Sequence, residues 1–140
     1  MRVRMLDHTA DVGFELEAPT LEALFDAARE GLLEILMQRP PRSGSEERVV
    51  ELSARDLEAL MVRWINELVY LVQTAGFVPA RADITVSGQG GKRSLRARLA
   101  GEPLDPEAHG WLGEVKSATF HGLCVEAGDG GWRARVILDV

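Results

Sequence analysis

Cysteine occurs once in this 140-residue chain, at Cys124, which excludes an internal disulfide and makes a reducing, cytoplasmic setting the expectation. Its surroundings, "GLCVEA", are apolar, the context of a buried structural thiol. With three histidines in unrelated contexts, the chain lacks the His and Cys clusters from which zinc sites are made. Basic residues are the minority. The 16 Lys and Arg against 22 Asp and Glu give a net charge of −6, so no strong direct nucleic-acid binding through the overall field is expected. No apolar run approaches the ~20 residues that a membrane helix needs, and the start, "MRVRMLDH", has no signal-peptide core.

Familiar catalytic loops are missing as well. "SGQGGKRS" has Gly91 and Lys92, but Arg93 stands where a phosphate loop needs Ser or Thr, and Val86 where its first Gly belongs. Its flanks alternate as strands, whereas a phosphate loop must open a helix whose N–H groups face the ligand. A hairpin turn accounts for it. No G-x-S-x-G elbow exists. Cys124 and His121, as nucleophile and base, would point to opposite faces of a regular strand.

What is present is the pattern of an α+β domain. "VGFELEAP" reads as a first strand ended by Pro19, and Thr20 is a good N-cap for "LEALFDAAREGLLEILM", whose apolar residues fall on one helical face. "ERVVEL" is a short strand after the breaker "QRPPRSGSEE". A second helix runs through "SARDLEALMVRWINELVYLVQTAG", with Gly76 as its stop. Strands follow: "ADITVSG" and "RSLRARLAGEPL" as a hairpin, "GEVKSATFHGLCVEA" as one strand that bends at Gly122 or as two, and "GWRARVILDV". The order predicts a single domain over 1–140, a two-layer sandwich with two helices packed on one face of a mixed β-sheet.

Chemistry concentrates at the two ends of the chain. "DHTAD" puts two carboxylates, an imidazole and a hydroxyl into five positions, and Asp139 precedes Val140 with its α-carboxylate. If the last strand lies beside the first, Asp11 joins Asp139 and that carboxylate. Three neighbouring carboxylates repel unless protonated or paired with a cation. Hard ions such as Ca²⁺ accept oxygen ligands from distant segments. The plain alternative is a solvated chain end. Lys116 and His121 would face opposite sides of a regular strand, so only a bend could unite them. On the second helix, Asn66, Glu67 and Tyr70 fall off the apolar face or at its edge, where a solvated surface is the ordinary reading.

Taken together, "DHTADVGFELEAPTLEALFDAA", "RWINELVYL", "VKSATFHGLCVE" and "RVILDV" resemble the archease family, in order and over nearly the whole chain. The resemblance implies a small cytoplasmic α+β protein. It would activate the GTP-dependent RNA ligase of tRNA splicing, promoting guanylylation of the ligase's active-site histidine and its multiple turnover. It further implies a divalent metal ion, usually calcium, on the Asp of the H-T-A-D motif, the penultimate Asp and the terminal carboxylate. These match Asp11, Asp139 and the carboxylate of Val140. His8, Glu67, Lys116 and His121 match other polar motif positions, with roles around the metal or toward the partner. Phe120 stands where Tyr is common, so no phenol serves there. Two other readings fit a carboxylate cluster. One is a metal-dependent phosphoester hydrolase with Asp11 and Asp139 as ligands and His8 as base. The other is a general chaperone or adaptor with a structural ion.

Overall fold

The computed structural model describes residues 1–6, 12–42, 44–89 and 91–140. The expectations placed on His8 and Asp11 therefore lie outside the described residues.

Among the described residues ten elements follow one another: β1 (Arg2–Met5), β2 (Val12–Ala18), α1 (Leu21–Leu36), β3 (Glu46–Ala54), α2 (Leu57–Gln73), β4 (Phe77–Gln89), β5 (Lys92–Pro103), α3 (Pro106–His109), β6 (Ser117–Gly128) and β7 (Gly131–Asp139). Local chemistry sets both long helices. The Thr20 hydroxyl accepts the N–H of Ala23, and the Asp56 carboxylate accepts that of Ala59, each satisfying a donor the first turn leaves open. Glu22 and Glu58 lie in the positive first turns. Gly76, at φ +67°, turns the chain away after α2.

The α+β class and both helices agree with the sequence. The sheet differs from the expected single mixed one. The strands form two sheets, ordered β1-β2-β7-β6 and β3-β5-β4, and every pairing is antiparallel. Two causes are visible. The β4–β5 and β6–β7 connections are tight turns, which only antiparallel pairs accept. Further, the open edges of β4 and β6 are taken by helix side chains, so the sheets cannot merge there. Glu22 of α1 accepts the N–H of Val86, and Arg29 donates to the carbonyls of Pro79 and Ala80. On β6 and just before it, Glu58, Asn66 and Gln73 of α2 accept the N–H groups of Val125, Ala118 and Val115, and Gln73 also donates to the Val115 carbonyl. Each helix thus packs on one sheet while capping an edge of the other, which satisfies backbone groups that would otherwise invite another chain.

The core lies between. Phe14 and Leu16 of β2, Leu24, Phe25 and Leu32 of α1, Leu60, Trp64 and Leu68 of α2, Phe77 of β4 and Val136 of β7 are all buried in one cluster. Trp64 is fully enclosed, and its indole N–H donates to the Phe25 carbonyl at 2.8 Å, tying α2 to α1. Gly31 lies against the Phe14 ring, where a Cβ would come within 3.1 Å of it.

Two elements escape the sequence reading. β1 is a short edge strand whose Arg2 and Arg4 pair with Glu17 and Glu15 of β2. α3 is one turn, capped by Asp105 and closed by Gly110 at φ +68°. Its buried His109 accepts the Asp105 N–H at Nδ1, and Nε2 lies 3.7 Å from Glu102. Cys124, expected to be buried, is half-buried and stands opposite Arg135 on the charged outer face. Among the described residues no helix is long and apolar enough to cross a membrane.

Candidate metal and partner site at the end of β7

The last strand is the centre of its sheet's second half, with β2 on one side and β6 on the other. Both neighbours start where β7 ends. Val12, the first residue of β2, pairs with Leu138, and Ser117, the first residue of β6, pairs with Asp139. The Lys116 N–H donates to the Asp139 carbonyl at 2.7 Å, so Lys116 is bound beside the strand end. Asp139 and Val140 themselves are exposed. In the chain, Asp11 precedes Val12 and Asp139 follows Leu138, so the conditional read from the sequence, a last strand lying beside the first, is met for the described residues.

The donor set here is oxygen only. Asp139 and the carboxylate of Val140 suit a hard cation and offer nothing to a soft one. Among the described residues no group of three His, Cys, Asp or Glu comes together to hold a metal.

The bend that Lys116 and His121 would need does exist. Between Thr119 and Cys124 the pairing register breaks: five steps along β6 lie against two along β7, and Gly122 adopts φ +67°. Helix α2 explains the surplus. From Glu58 to Asn66 a helix rises about 12 Å, while seven residues of regular strand from Ala118 to Val125 would cover about 23 Å. Because α2 holds both Ala118 and Val125, the residues between must bulge. The bulge presents Phe120, 54% exposed, and His121 to solvent, and the Arg55 guanidinium lies over the Phe120 ring at 5.6 Å. Lys116 and His121 make no side-chain contact with each other among the described residues. Glu67 is half-buried, one residue from Asn66, whose carbonyl oxygen is engaged by Ala118.

Sequence reasoning missed Glu58, Asn66 and Gln73 as the residues that shape this region. The signal was available. They are spaced by eight and seven positions, two helical turns each, as a polar stripe beside the apolar face.

Comparison with known proteins decides the ancestry. The sequence model described as the Archease protein family (MTH1598/TM1083) matches residues 4–140. The chain belongs to the archease family. It is 34% identical to the protein archease of Methanosarcina mazei over 136 residues, covering 96% of this chain and 93% of that one. With the protein archease of Pyrococcus furiosus it shares 33% over 135 residues, covering 96% and 95%. Among solved structures, the solution structure of Methanobacterium thermoautotrophicum protein 1598 superposes with a TM-score of 0.82 at 29% identity, covering 99% of this chain and 98% of that one. A Thermotoga maritima protein, described as an archease and possible chaperone, shares the fold with a TM-score of 0.56 at 23% identity, over 100% and 98% of the two chains. The archease fold is therefore common ground, and the two-sheet arrangement is this chain's form of it.

Proposed function

We propose that this archease is a non-catalytic activator of the GTP-dependent RNA ligase that joins tRNA halves. It would promote guanylylation of the ligase's active-site histidine and allow the ligase to turn over repeatedly. A divalent cation, calcium by the family resemblance and hard by the oxygen-only donors, is assigned to Asp11, Asp139 and the carboxylate of Val140. Such an ion, when bound, supplies positive charge that offsets phosphate charge. The observation that carries the reading is the Val12–Leu138 pairing, since in the sequence Asp11 comes directly before Val12 and Asp139 directly after Leu138.

The chain's own residues do the positioning. Lys116 fixes the Asp139 main chain, and Asn66 fixes Ala118 beside it. His8, Glu67, Lys116 and His121 are assigned to contacts around the carboxylates or with the ligase. The bulge carries Phe120 and His121 outward, where a partner can reach them. With a net charge of −6, the chain is suited to meeting a protein rather than RNA.

Asp139→Ala and Asp11→Ala are each expected to weaken calcium binding at least tenfold in a calorimetric titration, with an unchanged circular dichroism spectrum. Unaltered calcium affinity in both variants would remove the carboxylate cluster from the account.

A further inference from the structure

Helix α1 ends beside a groove unrelated to the strand-end carboxylates. Its floor is apolar, formed by Leu33, Met37, Pro41 and Ala80, and Glu30 and Glu34 stand at it, around a cavity of about 330 Å³. Leu33 and Met37 are otherwise buried, Glu30 is half-buried and Glu34 is exposed.

The charge here is unbalanced. Arg29 lines the groove, but its side chain is only 7% exposed and its donors are committed. Nε meets Asp26 at 2.8 Å, and Nη1 donates to the carbonyls of Pro79 and Ala80. Among the described residues, the ion pair that reaches Glu30 is a long one, 3.8 Å from Arg29 Nη2. Among the described residues that line the groove, Arg29 is thus offset by Asp26, and Glu30 and Glu34 remain as surplus negative charge over an apolar floor. Burial holds the Glu30 carboxyl above its ordinary range against the pull of Arg29, and Asp26 and Glu34 add to the rise.

We propose that this groove docks a segment of a partner protein in which a lysine or arginine neighbours an aliphatic side chain. The aliphatic part packs on Leu33, Met37 and Pro41, and the cation meets Glu30 and Glu34. Both halves are needed. A small cation would leave the apolar floor unused, and an apolar ligand would leave a partly desolvated carboxylate without a counter-charge. A second copy of this chain is disfavoured, because two molecules of net charge −6 repel and the groove is acidic.

The position suits a partner interface. After the turn at Pro19 and Thr20, α1 runs back along β2, with Gly31 late in the helix against Phe14 early in the strand. Sixteen helical residues cover about 24 Å and seven strand residues about 23 Å, so the end of α1 comes level with Val12 and the end of β7. One protein can then engage both places. That coincidence rests on the activator reading, whereas the chemistry of the groove stands without it.

The test uses the whole chain, ¹⁵N-labelled, followed by amide chemical shifts. It is titrated with the blocked peptide Ac-Leu-Arg-Leu-Arg-NH₂, its acidic counterpart Ac-Leu-Glu-Leu-Glu-NH₂, and arginine amide. The basic peptide is expected to give saturable shifts at the amides of residues 29–39 and of Ala80. The acidic peptide should give none there, and arginine amide should bind more weakly than the basic peptide. E30Q/E34Q, which keeps the side-chain shapes, should weaken the basic peptide about tenfold. The same titration in excess calcium separates this groove from the carboxylate site: the shifts should persist. Absence of saturable shifts at these amides, equal binding by E30Q/E34Q, or arginine amide binding as tightly as the peptide would overturn the proposal. So would concentration-dependent self-association through the same amides.

Discussion

Extending the chain by three or four residues beyond Val140 is expected to abolish both calcium binding and activation of the RNA ligase while leaving the fold unchanged. The reason is electrostatic and local. A peptide bond at Val140 replaces a full negative charge with a neutral carbonyl and displaces the new carboxylate by several residues. Asp139 would still be present, yet one carboxylate fewer in a site of so few protein ligands removes a large part of the attraction for a divalent ion. The fold should tolerate the change because Val140 is 56% exposed and follows the last paired residue, Asp139. The check is a calcium titration of the extended chain alongside its thermal unfolding curve. Loss of binding with an unshifted transition is the expected pair of results. Full ligase activation by the extended chain would sink the role of the terminal carboxylate.

Trp64→Ala should cost about 3–5 kcal/mol of folding stability, the range for truncating a large enclosed aromatic. Trp64 is fully buried where α2 crosses α1, so its removal leaves a cavity that the two helices cannot easily close. The hydrogen bond from its indole to the Phe25 carbonyl is lost with it. Since domains of this size are stable by only about 5–15 kcal/mol, the loss is a large fraction of the total. Trp64→Phe retains much of the ring volume, forfeits that hydrogen bond and should cost less. Denaturant titration checks both, through a fall in midpoint at constant slope. A midpoint within experimental scatter of the wild type would show that Trp64 does not join the helices.

The sequence disclosed the helices because their signals are local. Apolar residues at helical spacing, Thr20 before α1 and Gly76 after α2 need no knowledge of what lies across the molecule. The bend at Gly122 was legible for the same reason, since a glycine inside a strand pattern marks a local departure. What the sequence did not yield depends on partners far away in the chain. A division into two sheets follows from Glu22 bonding Val86 and Asn66 bonding Ala118, pairs separated by 64 and 52 positions. Periodicity sees those residues only as polar positions near an apolar face. β1 was hidden because it is short and its arginines carry no strand signal until Glu15 and Glu17 are placed opposite them. Cys124 misled because its apolar neighbours in sequence point to both faces of a strand, while its own side faces Arg135.

For the site, the chain ends announced themselves by their residue types, and the strand pairing at Val12 and Leu138 is what neighbouring carboxylates at Asp11 and Asp139 require. Lys116 was matched to a motif position by family resemblance; the structure places its main chain beside the strand end, through its backbone N–H on the Asp139 carbonyl. His121 and Glu67 lie on the bulge and on the helix that forces it, a relation that becomes visible only when helix rise is set against strand rise.

The most direct measurement is guanylylation of the purified tRNA-splicing ligase by GTP, with and without this protein, in Mg²⁺, Mn²⁺ and Ca²⁺. The protein is expected to raise the guanylylated fraction several-fold and to let a limiting amount of ligase complete successive ligations, with Asp139→Ala failing to do either. A ligase equally guanylylated and equally able to turn over in the absence of the protein would contradict the account.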